Sequence, residues 1–343
     1  MAPRGVAAKG VASKGSASKG LASNSVASRA ARTRDGVPAA PDLVATGALV
    51  ASDGWPASAV RIGISGWNYA GWRRAFYPKG LQQRRELEFA SRRLNSIEIN
   101  GSFYSLQLVQ SWQRWYAETP PGFVFSVKGP RFVTHMKKLR DVEAPVANFF
   151  ASGLLALADK LGPVLWQLPP NLGFSADRLE EFFALLPRTT TEAAALAARH
   201  DARMEDRALT TTAVNLPLRH ALEVRHASFA DPEFVELLRR HDVALVWADT
   251  GGRFPELADV TSDFAYLRLH GAEELYTSGY DEDSLRRWAD RVRLLCEGRT
   301  PEDAPRMADP APHRPRDVYV YFDNDVKVRA PVDAMRLAEL TAG

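Results

Sequence analysis

"HALEVRH", residues 220–226, alternates in a way that decides the architecture. Side chains alternate across an extended chain, so Leu222 and Val224 fall on one side and Glu223 and Arg225 on the other. A strand buried within a parallel sheet reads as a continuous apolar run. One apolar side opposite an acid and a base suits a barrel instead, with helices packed outside and polar groups gathered within. A lone Glu/Arg pair would most often be a structural ion pair. Its meaning depends on how many other segments repeat the pattern.

Seven more do. Short β-rich runs alternate with helical stretches from residue 60 onward, the mark of repeated βα units and a parallel sheet. The predicted strands are 61–67, 96–101, 123–129, 163–169, 220–226, 244–250, 264–271 and 317–325. Helices are expected at 84–95, 108–116, 144–160, 175–186, 231–241, 283–297 and 331–340, with Ser175 and Asp231-Pro232 as start signals. The Thr/Ala-rich stretch 188–218 reads as a surface insertion, and the proline-rich 298–316 as an irregular loop. Eight such units in roughly 285 residues fit a single (β/α)8 TIM-type barrel, an α/β fold, over residues 60–343.

Applied to every strand, the alternation yields an apolar face that includes Ile97, Ile99, Val124, Val127, Leu165, Leu222, Val224, Leu267, Leu269, Val318, Val320 and Phe322, with the third and fourth strands ambiguous. The opposite face carries Ser65 and Trp67, Glu98 and Asn100, Ser126 and Lys128, Gln167, Glu223 and Arg225, Asp249, Arg268 and His270, and Tyr321 with Asp323. Most of these polar residues lie at strand carboxyl ends, where barrels of this type build active sites. Burying so many polar groups costs several kcal/mol unless they pair or bind something. A functional cup is the expectation.

Residues 1–59 stand apart. A degenerate five-residue repeat, "GVAAKGVASKGSASKGLASNSVASR" (5–29), opens the chain, and residues 35–59 are rich in Pro and Gly. This composition cannot bury enough surface to offset the entropy of ordering, so a disordered basic tail and linker are expected, with a targeting segment as the alternative. Residues 1–34 hold seven of the 44 bases and no acid, which leaves 37 bases against 41 acids in the body. The basic pI therefore belongs to the tail, and the body carries no global nucleic-acid signature. A single cysteine, Cys296, and no apolar run long enough for a membrane span point to a cytoplasmic protein without a disulfide framework.

The motifs "IGISGWNYAGW" (62–72), "IEINGSFYSL" (97–106), "FVFSVKGPRFVTHMKKL" (123–139), "LGPVLWQLPP" (161–170), "ALEVRHASF" (221–229), "YLRLHG" (266–271) and "VYVYFDND" (318–325) resemble the YecE-like family, domain of unknown function 72. The resemblance runs in order from about residue 61 to 336. It implies a TIM barrel, in agreement with the strand count, and no established reaction. Members of that family often carry Asn at the position of Asp323.

Three functions compete for the cup. In the first, an enzyme binds a small anionic or hydroxylated substrate through Lys128, Arg225 and Arg268, with His270, Glu223 and Asp249 in acid/base roles. Asn100, Gln167, Glu98, Trp67, His135, Asp323 and Asn324 complete the expected substrate surface, and no cofactor is required. In the second, Glu223, Asp249 and His270 hold a divalent metal for a hydrolase or isomerase. Three nearby cations and the absence of a HxH or HExxH signature argue against it. In the third, "KGPRFVTHMKKLR" (128–140) and the tail bind nucleic acid without catalysis; the acidic body disfavours this. No glycine-rich phosphate loop is present, and the oligomeric state is not legible. If the tail is dispensable, a chain lacking residues 1–59 keeps the thermal midpoint of the full chain. A drop of several degrees would show that the tail packs on the barrel.

Overall fold

Parallel pairing of the eight strands closes the sheet in a computed structural model that describes residues 59–271, 279–324 and 328–342. The strands are β1 (Val60–Ser65), β2 (Ser96–Ile99), β3 (Val124–Lys128), β4 (Leu161–Gln167), β5 (His220–Glu223), β6 (Val243–Asp249), β7 (Phe264–Leu269) and β8 (Asp317–Phe322). Each pairs with its sequence neighbours, and β8 returns to β1 with Val60 opposite Val318 and Ile64 opposite Phe322. The eight-stranded α/β barrel expected from the sequence is thus the fold. Residues 1–58 of the expected tail and linker lie outside the described residues.

Most strands end earlier than their sequence runs suggest. Gly66, at φ 88°, turns the chain after β1, and Asn100 already has helical dihedrals after β2. The polar ends of these runs have left the ladder and rise as loops around the mouth.

The outer ring comprises α1 (Glu86–Ala90), α2 (Gly101–Tyr104), α3 (Val109–Glu118), α4 (Glu143–Ala151), α5 (Ala176–Ala184), α6 (Thr190–Ala197), α7 (Pro232–Arg240), α8 (Glu282–Cys296) and α9 (Arg329–Ala342). Asp231 caps α7 by accepting from Glu233 N at 2.8 Å, with Pro232 in the first turn, whereas Ser175 makes no capping bond to α5. The single helix expected over 144–160 breaks at Gly153 (φ 109°), and a 3-10 segment, Leu154–Lys160, follows. A Cβ at Gly153 would approach Trp112 and Val109 to 2.9 Å, so close packing on α3 requires the glycine there.

One connection differs from expectation. The stretch 188–218 contains α6, started by Thr189 Oγ1 accepting from Glu192 N, with Ala193, Leu196 and Ala197 buried. Its capping pair lay in a Thr-rich run that hid the helix signal. Between β6 and β7, where no helix was expected, residues 250–263 form none, so the sixth unit lacks its outer layer. No described helix is long and apolar enough to cross a membrane.

Two apolar clusters divide along the strand alternation. Ile62, Ile64, Ile97, Ile99, Val127, Leu222, Leu267, Leu269, Val318, Val320 and Phe322 pack outward in the larger cluster. Leu165, Ala221, Ala244, Val246, Ala248, Phe264, Tyr266, Tyr319 and Tyr321 fill the barrel interior, with Val124 against them. Leu165 and Val124 therefore face inward, which decides the two strands whose faces the sequence leaves ambiguous: they share a side with Gln167 and with Ser126 and Lys128. Below this layer, Arg219 bridges Asp263 at 3.0 Å and Asp317 at 2.6 Å and closes the amino-terminal end.

Interior filling demands close backbone approach at Gly63, where a Cβ would lie 2.0 Å from the Ser96 carbonyl oxygen. Gly63→Ala must push β1 and β2 apart. A loss of about 2 kcal/mol or more in denaturant-unfolding stability is expected. A change below about 0.5 kcal/mol would show that the ladder yields freely.

Candidate active site

The inward residues at the strand carboxyl ends meet around one guanidinium. Arg268, at the end of β7, is completely buried. Its Nε and Nη2 donate to the two Glu98 oxygens at 3.1 and 2.8 Å, its Nη1 to Glu223 Oε2 at 2.6 Å, and its Nη2 also to Asp323 Oδ2 at 2.7 Å. Three carboxylates from β2, β5 and the end of β8 are thus drawn to one cation. Burial opposes the charge on Arg268, yet Glu98, Glu223 and Asp323 outweigh it and raise its pKa well above the usual value.

Hydroxyls complete the floor. Ser65 Oγ donates to Glu98 Oε1 at 2.9 Å and Tyr266 O–H donates to Glu98 Oε2 at 2.6 Å, while Ser126 Oγ lies 2.6 Å from the Tyr266 hydroxyl. Burial, then Glu98, push the Tyr266 phenol well above its usual range. Tyr266 was missed by the sequence reading, although it precedes Arg268 by two residues in "YLRLHG" and so shares its face.

His270 extends the array. Its Nε2 lies 3.4 Å from Arg268 Nη1 and 4.0 Å from Glu223 Oε1, and its Nδ1 lies 3.4 Å from Asp323 Oδ2. A guanidinium only donates, so Nε2 is the accepting nitrogen, and Nδ1 then presents its hydrogen to Asp323. Burial works against the Asp323 carboxylate, but Arg268 and the His270 contact hold it down at about 2. Burial likewise opposes ionisation of Glu223, and Arg225 with Arg268 keeps it well below the usual range.

Above this layer the mouth is less committed. Arg225 Nε donates to Glu223 Oε1 at 2.8 Å, and its guanidinium stacks 4.7 Å from the Phe254 ring centroid. Phe254 comes from the helix-less β6–β7 connection, where no sequence signal marked it. Lys128 ends β3 and is 8% exposed, with Nζ 4.6 Å above the Phe103 ring. Nζ makes no hydrogen bond or ion pair with any described residue. Burial first, then repulsion from Arg268, lower the Lys128 pKa to about 8, against the pull of Asp323, Glu98 and Glu223. His135 packs its ring edge-on to Phe103 at 5.1 Å and contacts Thr134 Oγ1 through Nδ1. It sits on a π-helical turn, Phe132–Met136. Burial, then Lys128, Arg225 and Arg131, push it down to about 4.

Gln167 is buried and pairs in register with Glu223, and Asn100 carries a buried Oδ1 that accepts from no described residue. Three expected members lie elsewhere. Asp249 follows the outward alternation of Leu245 and Trp247, and its carboxylate accepts from Tyr280 O–H at 2.9 Å. Trp67, displaced by the turn at Gly66, packs edge-on to Trp115 at 5.3 Å. Asn324 donates from Nδ2 to Asp333 Oδ2 of α9 at 2.9 Å, on the outer side of β8. Arg268, expected to hold substrate, is instead occupied by protein carboxylates.

With Asp249 turned away, the proposed Glu223/Asp249/His270 ligand set is not assembled. Among the described residues no group of three or more His, Cys, Asp or Glu is placed to hold a metal ion. A cavity of about 360 Å³ opens beside the cup, lined in part by Phe103, Tyr104, Phe132, Met136 and Arg131. Phe103 is the wall shared by this cavity and the Lys128 amine.

Comparison with solved structures supports the architecture. A DUF72 family protein from Thermotoga maritima is 24% identical with a TM-score of 0.61, over 82% of this chain and 98% of that one. A DUF72 family protein from Enterococcus faecalis is 16% identical with a TM-score of 0.57, over 82% and 95%. At these identities the likeness concerns the fold. The UPF0759 protein YunF of Bacillus subtilis is 28% identical over 116 residues, which is 32% of this chain and 40% of that relative. The family model described as "Protein of unknown function DUF72" matches residues 61–343, from the first strand through the last helix, and the chain belongs to that family.

Proposed function

We propose that this protein is a cytoplasmic enzyme that binds a small anionic or hydroxylated substrate at the carboxyl-terminal mouth of the barrel and moves a proton there. The observation that carries this reading is the unequal commitment of the charges. Arg268 is saturated by three carboxylates, whereas the Lys128 amine directly above remains unpaired among the described residues. A nearly buried cation that no described acid pairs with is unfavourable by itself and becomes favourable when an anion or a polar group arrives.

In this reading Lys128 and Arg225 form the positive wall that meets the substrate, with Phe103 and Phe254 as apolar backing. Arg268 is a positioning residue that holds Glu223 and Asp323 in place. His270 is fully enclosed and exchanges protons with the mouth through Asp323, whose side chain is 14% exposed. Asp323 takes the acid/base place expected of Asp249. His135, held neutral near pH 7, is a second base at the rim.

The test is a thermal-shift panel of inorganic phosphate, sugar phosphates, hydroxy acids and neutral polyols against the purified protein. At least one anion should raise the midpoint, and Arg225→Met should remove that rise. His270→Gln should abolish turnover of a substrate found this way while leaving its binding. Acid/base use of His270 needs no divalent ion, so a chelator should leave the shift unchanged. About one equivalent of zinc or manganese, lost in His270→Gln, would replace this reading with the metal one. A steep salt dependence of nucleic-acid binding by the chain without residues 1–59 would replace it with the binding one.

Acid stability follows from the same groups. His135 is depressed from 6.5 to about 4, so the unfolded chain takes up its proton first, and stability is lost as pH falls across that window. Asp323 is depressed from 3.8 to about 2; its contribution is full above the unfolded value and disappears as pH falls through about 2. The thermal midpoint should therefore fall in two limbs. The upper one should shrink in His135→Gln, the remainder belonging to buried His220, which is also depressed, to about 3, and the lower one should shrink in Asp323→Asn, which keeps an acceptor for Arg268. An unchanged profile in both variants would refute the assignment.

A further inference from the structure

We propose that Lys128 is a nucleophile that forms an imine with a small carbonyl substrate carrying a carboxylate or phosphate. The inference rests on the function proposed above and narrows its substrate class. Four features of the geometry carry it. Lys128 ends β3 at the catalytic face of the barrel, and its side chain is more than nine-tenths removed from solvent. Its Nζ pairs with no described acid, because Glu98, Glu223 and Asp323 are all engaged by Arg268. Phe103 covers one side of the amine with an aromatic ring at 4.6 Å and is also a wall of the neighbouring cavity. His135 packs edge-on to the same ring and brings a neutral imidazole to this rim.

An amine placed this way differs from a surface lysine in one chemical respect. Water and carboxylates stabilise the ammonium at a surface, whereas here burial and the Arg268 charge destabilise it. The neutral amine is therefore reachable near physiological pH, as a lysine nucleophile requires. The groups that face it are Arg268, Asp323, Glu98, Glu223 and Arg225 with the imidazole of His135. Of these, His135 is the neutral base.

The step balances without an added reactant. The ammonium loses one proton to solvent, and the freed nitrogen lone pair attacks the carbonyl carbon. A C–N bond forms while the carbonyl π pair moves to oxygen. That oxygen takes up one proton from solvent and a second from the nitrogen, then leaves as water while the C=N bond forms. One ammonium and one carbonyl give one protonated imine and one water. Arg225, beside the amine in charge and across the mouth, supplies the contact for the substrate's anionic group.

Pyruvate with sodium cyanoborohydride is the probe, applied to the full-length protein across pH 6 to 10. Wild-type protein should gain the mass of one pyruvate less one oxygen atom, and peptide mapping should place it on Lys128. The rate of labelling at Lys128 should rise through about pH 8 and then level. Labelling of surface lysines should keep rising towards their ordinary pKa near 10.4. Lys128→Met and Lys128→Arg should both lose the selective adduct. The arginine variant keeps the charge, and a melting curve for each variant shows that it folds. A pyruvate-induced thermal shift without an adduct, retained in Lys128→Arg, would overturn the nucleophile while leaving the anion-binding reading intact. Labelling spread evenly over surface lysines would overturn it as well. If pyruvate gives neither shift nor adduct, dihydroxyacetone phosphate is tried under the same conditions. An anion from the panel that raises the midpoint while neither carbonyl probe labels Lys128 sinks the imine alone.

Discussion

The Arg268 guanidinium, buried beneath the mouth with three carboxylates around it, is the interaction on which the carboxyl-terminal end of the barrel depends. Arginine suits this place because its charge is permanent and its planar donors reach several acceptors at once. Glu98 arrives from β2, Glu223 from β5 and Asp323 from the end of β8, so one side chain ties together strands that do not touch each other in the sheet. The arrangement is costly to assemble, since every member is taken from water. Removing one member of such a set typically destabilises by about 3–5 kcal/mol, because a charge is then left buried alone.

That central commitment determines what the remaining groups can do. Glu98 is filled on both oxygens by Arg268, Ser65 and Tyr266, which leaves it a structural acceptor. Glu223 is shared between Arg268 below and Arg225 above, and it passes positional order from the floor to the rim. His270 is oriented by two neighbours of opposite character, a pure donor on Nε2 and a carboxylate on Nδ1. Lys128 is the cation left over, and its low pKa results first from burial and then from the Arg268 charge that also stabilises the three acids. Scaffold and chemistry are therefore layers of one electrostatic arrangement, with the scaffold deeper.

The fold supports this by separating its two apolar regions. Branched aliphatic residues on the outer side of the strands meet the helices, while alanines and tyrosines fill the interior beneath the cup. Tyrosine is useful at that boundary because its ring packs below and its hydroxyl reaches the polar layer above. Tyr266 does so towards Glu98, whereas the Tyr321 hydroxyl pairs with Ser96, the first residue of β2, at 2.7 Å. The absent helix between β6 and β7 frees that connection to bring Phe254 back over Arg225.

Much of this was legible in the sequence. Eight runs with period-two alternation sufficed for the barrel, because pleating sends alternate side chains to opposite faces whatever lies around them. The same rule correctly put Glu98, Glu223, Arg268 and Ser65 on the inner side. It failed where the chain left extended geometry, at Gly66, where a positive φ sent Trp67 outward; in β6 the alternation itself held, and Asp249 was assigned to the wrong face, since it follows the outward residues Leu245 and Trp247. It also could not separate inner from outer in β4, since Val164, Leu165 and Trp166 are all apolar. Which charges are neutralised by which is a matter of distances between strands remote in sequence. Alternation says that an arginine faces inward; only the closed barrel decides that Arg268 is spent on carboxylates and Lys128 is not.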